Sequence, residues 1–253
     1  MVTVALEEIV SYCSKRLNVQ DMFDYPNAYN GLQFMNSGRI YKIAAAVDGS
    51  LESIRLAGEV GANLLVVHHG LFWGKSIPVV DGVYAKYKAL IDNDIAIYSS
   101  HLPLDAHQEI GNNALLARDL GFGVSDFEEL GFHGVKIAAI VNEPIGREEL
   151  KCRLADKFTS LVSMEFGPSR VKKLAIISGG GGQAIPSLGA FGIDTFITGE
   201  CRQHSYSEAY EHGLNVYVCG HYATECLGIM ALASELGKAF SLPQVFVKTS
   251  CPL

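Results

Sequence analysis

Short apolar runs bounded by Gly, Asn or Asp recur along the chain, at Ile43–Val47, Leu64–Val67, Ile95–Tyr98, Val135–Val141, Leu174–Ile177, Thr195–Thr198, Asn215–Cys219 and Val245–Lys248. Runs of this length and setting predict strands. Between them apolar residues return at helical spacing over Ser50–Val60, Val83–Asn93, Asn112–Leu120, Arg147–Phe158, Ala184–Phe191, Ser205–His212 and Ala223–Phe240. Alternating strand and helix predicts an α/β fold with largely parallel strands. Leu64–Val67 is apolar at every position, as expected of a strand covered on both faces. At the N-terminus Val4, Leu6, Ile9, Val10 and Cys13 fall mostly on one side of an amphipathic helix.

The pattern occurs twice. Lys42 to His69 aligns without a gap on Lys173 to Glu200, at an offset of 131 residues, with GAN on GID. Further on, His101-Leu-Pro-Leu-Asp105 is echoed by His221-Tyr-Ala-Thr-Glu225 at an offset of 120, the first half being longer between His69 and Asp94. Two similar α/β halves are predicted, 1–125 and 126–253, joined through the polar, Gly-punctuated stretch Ser125–Gly134. Each half delivers His-x-x-x-carboxylate after an apolar run, and the first adds His68-His69. Two incomplete half-sites facing each other would make one metal centre.

Composition narrows the class. A chain of 253 residues that is 49% hydrophobic and 19% charged can bury a sizeable core. No apolar stretch approaches the roughly 20 residues that span a bilayer. Glu7 and Glu8 stand where a secretory leader would be basic, so a cytoplasmic protein is expected. Net charge is −7 without a Lys/Arg cluster, which argues against nucleic acid as a partner. The cysteines at 13, 152, 201, 219, 226 and 251 form no CxxC pair and read as reduced thiols, with Cys219 and Cys226 near His221.

The candidate chemistry lies at the carboxyl ends of predicted strands, where open α/β sheets bind ligands. Adjacent strand residues point to opposite faces. His68 and His69 can therefore share a pocket where the strand breaks, and Gly70 is read as that break. Asp105 is read as a carboxylate ligand or as an Asx turn or helix cap. His221 and Glu225, four apart, share one helix face. His68, His69, Asp105, His221 and Glu225 are one donor too many for a tetrahedral site. They suit two ions sharing Glu225 or Asp105, and the absence of thiolate points to zinc, iron or manganese. Such a pair would clamp a bridging hydroxide and polarise a substrate oxygen or carbonyl. His101 is a proton-transfer or supporting group, a sixth ligand or a packing residue. Glu200 and His204 form a substrate-orienting pair or an exposed helix start. His107, His133 and His212 read as surface or packing histidines. Gly179-Gly180-Gly181-Gly182 opens a helix as a tight turn or a phosphate cradle, though without the Lys of a nucleotide loop. Asn30-Gly31-Leu32-Gln33 reads as a turn with a polar side chain that could face the site. Phe72 and Trp73 wall the site or meet another subunit.

VVHHGLFW, HLPLDAH with GNN, TGE, GHYATE and the earlier NGLQ together resemble the NIF-three-like dinuclear metal proteins, also known as GTP cyclohydrolase 1 type 2 homologs. The resemblance runs from about residue 1 to 250. It implies a two-half α/β fold with a metal pair held by His68, His69, Asp105, His221 and Glu225. Glu225 is then the bridge, with His69 and Asp105 completing one ion and His68 and His221 the other. It also implies a hexameric ring, a trimer of dimers, in a short form without the inserted middle domain. Gly70 stands where the family often has Pro, and Glu200 where it often has Asp. The expected function is metal-dependent hydrolysis of a small molecule such as a nucleotide or phosphoester, with His101, Glu200 and His204 serving catalysis. The alternatives are a metal carrier and a ring-shaped scaffold without turnover.

Overall fold

The alternating strands and helices fold into two units, Met1–Leu104 with Gly228–Ser250, and Asp105–Leu227 with Cys251–Leu253. The computed structural model describes residues 2–26, 28–73, 77–132 and 134–253. His133 lies outside the described residues.

In the first unit β1 (Val4–Ala5) leads into α1 (Leu6–Arg16), which buries Leu6, Ile9 and Cys13, one stripe of a helix. β2 (Gly31–Phe34) and β3 (Arg39–Ile40) follow, and β3 pairs with β1. β4 (Ile43–Asp48), α2 (Leu51–Glu59), β5 (Leu64–His69), α3 (Asp81–Asp92) and β6 (Ala96–Ser99) form the predicted alternation, with β4, β5 and β6 parallel and adjacent. β2 pairs antiparallel with β6. Ser50 starts α2 because its hydroxyl accepts from the Ser53 N–H while the Ser53 hydroxyl meets the Ser50 N–H, a reciprocal cap. Leu64 through Val67 are fully buried, and Leu65 and Val67 pack with Ala46, Ile54, Leu90 and Ile97.

α4 (Leu102–Asp105) spans the change of unit. The second unit continues through α5 (Asn112–Asp119), β7 (Asp126–Glu128), β8 (Ala138–Val141), β9 (Ile145–Gly146), α6 (Arg147–Lys157), β10 (Val162–Glu165), β11 (Arg170–Val171), β12 (Leu174–Ile177), β13 (Thr195–Thr198), α7 (Ser205–Glu211), β14 (Asn215–Val218) and α8 (His221–Thr224). Its sheet runs β10-β14-β13-β12-β8-β7, with β12, β13 and β14 parallel. β4, β5 and β6 in the first unit, and β12, β13 and β14 in the second, are each joined in parallel in chain order. The helix expected over Ala184–Phe191 is a 3-10 helix over Gly182–Phe191; Pro186 inside it offers no N–H, and Gly192 ends it at φ 67°. α9 (Cys226–Phe240) and β15 (Gln244–Phe246) complete the chain, and β15 pairs parallel with β4.

The unit boundary differs from the predicted 125/126. It falls at Leu104/Asp105, and residues 228–250 belong with the first unit. α5 supplies Ala114, Leu116 and Ala117 to the second core, beside Ile176 and Val141. Asp126–Glu128, read as part of a linker, is an edge strand paired with β8. Which sheet a segment joins depends on its partners rather than on its own pattern. Among the described residues no helix is long and apolar enough to cross a membrane.

Candidate metal centre

In the first unit the end of β5 and the start of the loop after β6 gather three imidazoles. One ring nitrogen from each of His68, His69 and His101 lies within 4.8 Å of the others. The ring centroids of His68 and His69 are 4.7 Å apart, and those of His68 and His101 5.0 Å. The break falls at Gly70, as expected: β5 runs through His69, which still pairs with Asp48 on β4. His69 is the last strand residue, and Asp48 across the ladder holds its ring with Oδ1 2.9 Å from Nδ1. His68 is fully buried and places Nδ1 3.0 Å from the Ser100 carbonyl. His101 places Nδ1 2.8 Å from Asp24 Oδ1. Asp24 also accepts from the Asn30 amide and from the Tyr25 and Leu102 N–H groups. Burial pushes the Asp24 carboxyl up, but the hydrogen bond and charge of His101, with the Asn30 and Tyr25 N–H donors, hold it below its ordinary value.

In the second unit the donors are mainly carboxylates. Asp105 and Glu225 are 3% and 2% exposed and bring carboxylate oxygens within 4.8 Å of each other. Asp105 Oδ1 accepts from Asn112 Nδ2 at 2.7 Å and Ser178 Oγ at 3.3 Å. Asn113 ties the same segment down, donating to the Asp105 and Ile137 carbonyls and accepting from the Ser178 N–H. His221 opens α8, and its Nε2 is 3.3 Å from Glu225 Oε2, as the four-residue spacing predicts. The predicted helix Ala223–Phe240 is interrupted there: Glu225, at φ −108° and ψ 3°, caps α8 before α9 begins. The HLPLD stretch thus contributes His101 to the first donor set and Asp105 to the second.

All four of these histidines share one arrangement. Nδ1 of His68, His69, His101 and His221 each meets an oxygen, from Ser100, Asp48, Asp24 and Glu200 respectively. An oxygen acceptor assigns a proton to Nδ1 and leaves Nε2 as the ring atom for a metal, the way metal-binding imidazoles are held. Two buried carboxylates at close range are also costly without a cation. The donor chemistry therefore fits divalent ions, through imidazole nitrogen and carboxylate oxygen.

His221 shows the same demand. Burial pushes its imidazole down, but Glu225 and then Glu200 outweigh this and raise it to about 9. In the metal-free protein the raised value means that the pairing stabilises the fold fully below the ordinary histidine value near 6.5. That contribution is lost as pH rises through about 9. Glu200→Gln is expected to lower this imidazole's affinity for protons and to weaken metal binding about 10- to 100-fold. Metal titration calorimetry of both proteins in buffers of different ionisation enthalpy checks this. The native protein should release more protons near pH 8 than the variant, and equal release would refute the coupling.

Glu200 is expected from sequence to orient substrate; its Oε2 lies 2.7 Å from His221 Nδ1 and so holds a candidate donor histidine. His204 is an exposed residue preceding α7, and among the described residues its side chain is outside the hydrogen bonds that hold the donors. Glycines beside these groups allow close approach. A methyl on Gly179 would overlap the Glu225 carboxylate, and one on Gly199 would lie 2.8 Å from the His221 Cα. Asn30 does more than shape a turn: its Oδ1 accepts from the His101 N–H at 2.7 Å while Gly31–Phe34 forms β2. Sequence reasoning misses Asp24, Asp48, Asn112, Asn113 and Ser178, although GNN, which holds both asparagines, stands out as a motif. Most of them lie far in sequence from the group they hold, so spacing carries no signal. His107 Nδ1 accepts two loop N–H groups, and His212 ends α7 in solvent. All six cysteines are thiols, and burial pushes that of Cys219 up to about 12.

The family Duf34/NIF3 (NGG1p interacting factor 3) matches residues 4–252. The "GTP cyclohydrolase 1 type 2 homolog" of Pyrococcus horikoshii is 40% identical, covering 95% of this chain and 96% of its own. The protein of the same name in Escherichia coli K12 is 36% identical over the whole of both chains. The crystal structure of TTHA1606 from Thermus thermophilus superposes with a TM-score of 0.89 at 34% identity, over 99% of this chain and 100% of that one. With a family match over nearly its whole length and full-length relatives above 30% identity, the chain belongs to the Duf34/NIF3 family.

Proposed function

We propose that this protein is a dinuclear metal-dependent hydrolase acting on a nucleotide or phosphoester. His68, His69, Asp105, His221 and Glu225 would hold two divalent ions, zinc, iron or manganese. The observation that carries this reading is the common anchoring of four imidazoles through Nδ1, with two buried carboxylates in the second set. The names of the relatives favour a nucleotide such as GTP. When bound, such a metal pair supplies Lewis acidity and lowers the pKa of water.

The chain's own groups then have defined tasks. Ser100, Asp48 and Glu200 hold three imidazoles with Nε2 presented. Asn112 and Ser178 fix one oxygen of Asp105. His101 takes up and returns a proton at Nε2, while Asp24, its side chain 5% exposed, keeps the other proton on Nδ1. The protein acts as a homo-hexamer, a trimer of dimers, in the cytoplasm.

Elemental analysis of the purified chain, with GTP and bis(p-nitrophenyl) phosphate turnover after each metal is restored, tests the reading. Near two metals per chain with turnover is the expected result. Two metals without turnover of either compound would move the protein to a metal carrier. Trace metal only, after reconstitution, would sink the dinuclear centre. Mass photometry at the same time checks the hexamer.

A further inference from the structure

Around His101 and His69 the first unit exposes a group of aromatic rings that the hydrolytic reading leaves unused. Tyr25 stacks on His101 at 5.8 Å between centroids and 28° between planes. Trp73 stands edge-on to His101 at 4.9 Å and to His69 at 5.7 Å. Beside it Phe72 and Tyr29 form an edge-to-face pair at 6.5 Å. All four are 40–58% exposed. Large rings left in water at one place mark a binding surface.

The rings are held in position. An isolated antiparallel bridge joins Ala28 to Trp73, and the Trp73 indole N–H donates to the Gly70 carbonyl at 2.9 Å. Gln33 joins the two loops again, accepting from the Leu71 N–H and donating to the Tyr29 carbonyl. A methyl on Gly70 would collide with the Gln33 amide, so the glycine at this position lets the amide reach both loops. Fixed loops carrying exposed rings lose little freedom on binding.

The charge of the segments narrows the ligand. Residues 23–30 and 70–73 contain no lysine or arginine, and their one charged group is Asp24, already engaged with His101. Nothing in these segments attracts a phosphate. Aromatic rings without cations suit the face of a flat, nitrogen-containing ring, which stacks on π surfaces whatever its substituents.

We propose that Tyr25, Tyr29, Phe72 and Trp73 form a stacking subsite for the planar heteroaromatic ring of the substrate, beside His69 and His101. The inference deepens the hydrolase reading and rests on it for the placement of the reacting centre. It makes the substrate class a nucleobase-like ring compound rather than a simple phosphoester, and it assigns the anionic part of that compound to other residues.

Trp73 is the chain's single tryptophan, so its emission reports on this subsite alone. The full-length protein is titrated with guanosine monophosphate, and with ribose 5-phosphate and tripolyphosphate as ring-free controls. Saturable quenching by the ring compound, and none by the controls, is expected. Phe72→Ala and Tyr29→Ala should each weaken it about tenfold, with Phe72→Tyr restoring it. Absence of saturable quenching by guanosine monophosphate overturns the subsite, as does equal quenching by the ring-free compounds. So does an altered oligomeric state in Phe72→Ala with ring affinity unchanged, which would make the rings a subunit contact. The two readings fail separately. Saturable ring binding without turnover keeps the subsite and removes the hydrolase, whereas turnover with KM unchanged in Phe72→Ala does the reverse.

Discussion

Gly179→Ala is expected to abolish tight metal binding while leaving the chain folded. Gly179 follows β12 at φ +60°, a left-handed conformation that costs alanine about 1–2 kcal/mol. Its new methyl would overlap the Glu225 carboxylate and come within 3.1 Å of His221 Nε2. The Gly179 N–H also donates to Thr224 Oγ1 at 3.0 Å, so the backbone cannot withdraw without breaking a buried hydrogen bond. Glu225 and α8 must move instead, and a displaced donor loses more than the roughly 10- to 100-fold typical of a supporting residue. Gly192→Ala is the control. That glycine also has a positive φ, +67°, but a methyl there meets nothing within 4 Å. It should lose about 1 kcal/mol of stability with metal affinity intact. Calorimetric metal titration and thermal melts of the two variants decide the matter. Equal metal affinities would show that strain, not the Glu225 overlap, is what Gly179 avoids.

Asp105→Asn should remove activity without removing the fold. The amide keeps the shape of the carboxylate and can still accept from Asn112 or Ser178 with its remaining oxygen. It also relieves the proximity of Asp105 to Glu225, whose carboxylate oxygens lie within 4.8 Å. Like charges so close disfavour the metal-free state. The metal-free variant is therefore expected to melt at or above the native metal-free temperature. The order should reverse when metal is present, because the native protein gains RT ln(1 + [L]/Kd) and the variant gains little. Turnover should drop by more than about 100-fold. Melting curves with and without chelator, beside metal content per chain, provide the check. A variant that binds two metals and turns over normally would exclude Asp105 as a ligand.

The candidate donor histidines are legible in the sequence because they stand at the ends of apolar runs. His68-His69 follow Leu64–Val67, and His221 follows Asn215–Cys219, so local pattern alone puts them at strand ends. The four-residue spacing of His221 and Glu225 likewise fixes a contact within one turn. Asp24 gives no such signal. It acts on His101, 77 residues away, through a loop without periodic pattern. The same holds for Asp48 on His69 and for Ser178 on Asp105. Glu200 stands out for its place at a strand end, but its partner His221 is 21 residues on, and only the parallel pairing of β13 with β14 brings their strand ends side by side.

By itself the sequence determined the α/β alternation, the positions of nearly every parallel strand and the residues that are candidate metal donors. These follow from hydrophobic period and residue chemistry, which act over a few residues. Only the tertiary structure decided that α5 joins the second core and β15 the first sheet, and that the unit boundary falls within HLPLD rather than at 125/126. It alone decided which oxygen holds each imidazole. Pairing of strands and closure of hydrogen bonds are set by long-range complementarity, which leaves no periodic trace in the chain.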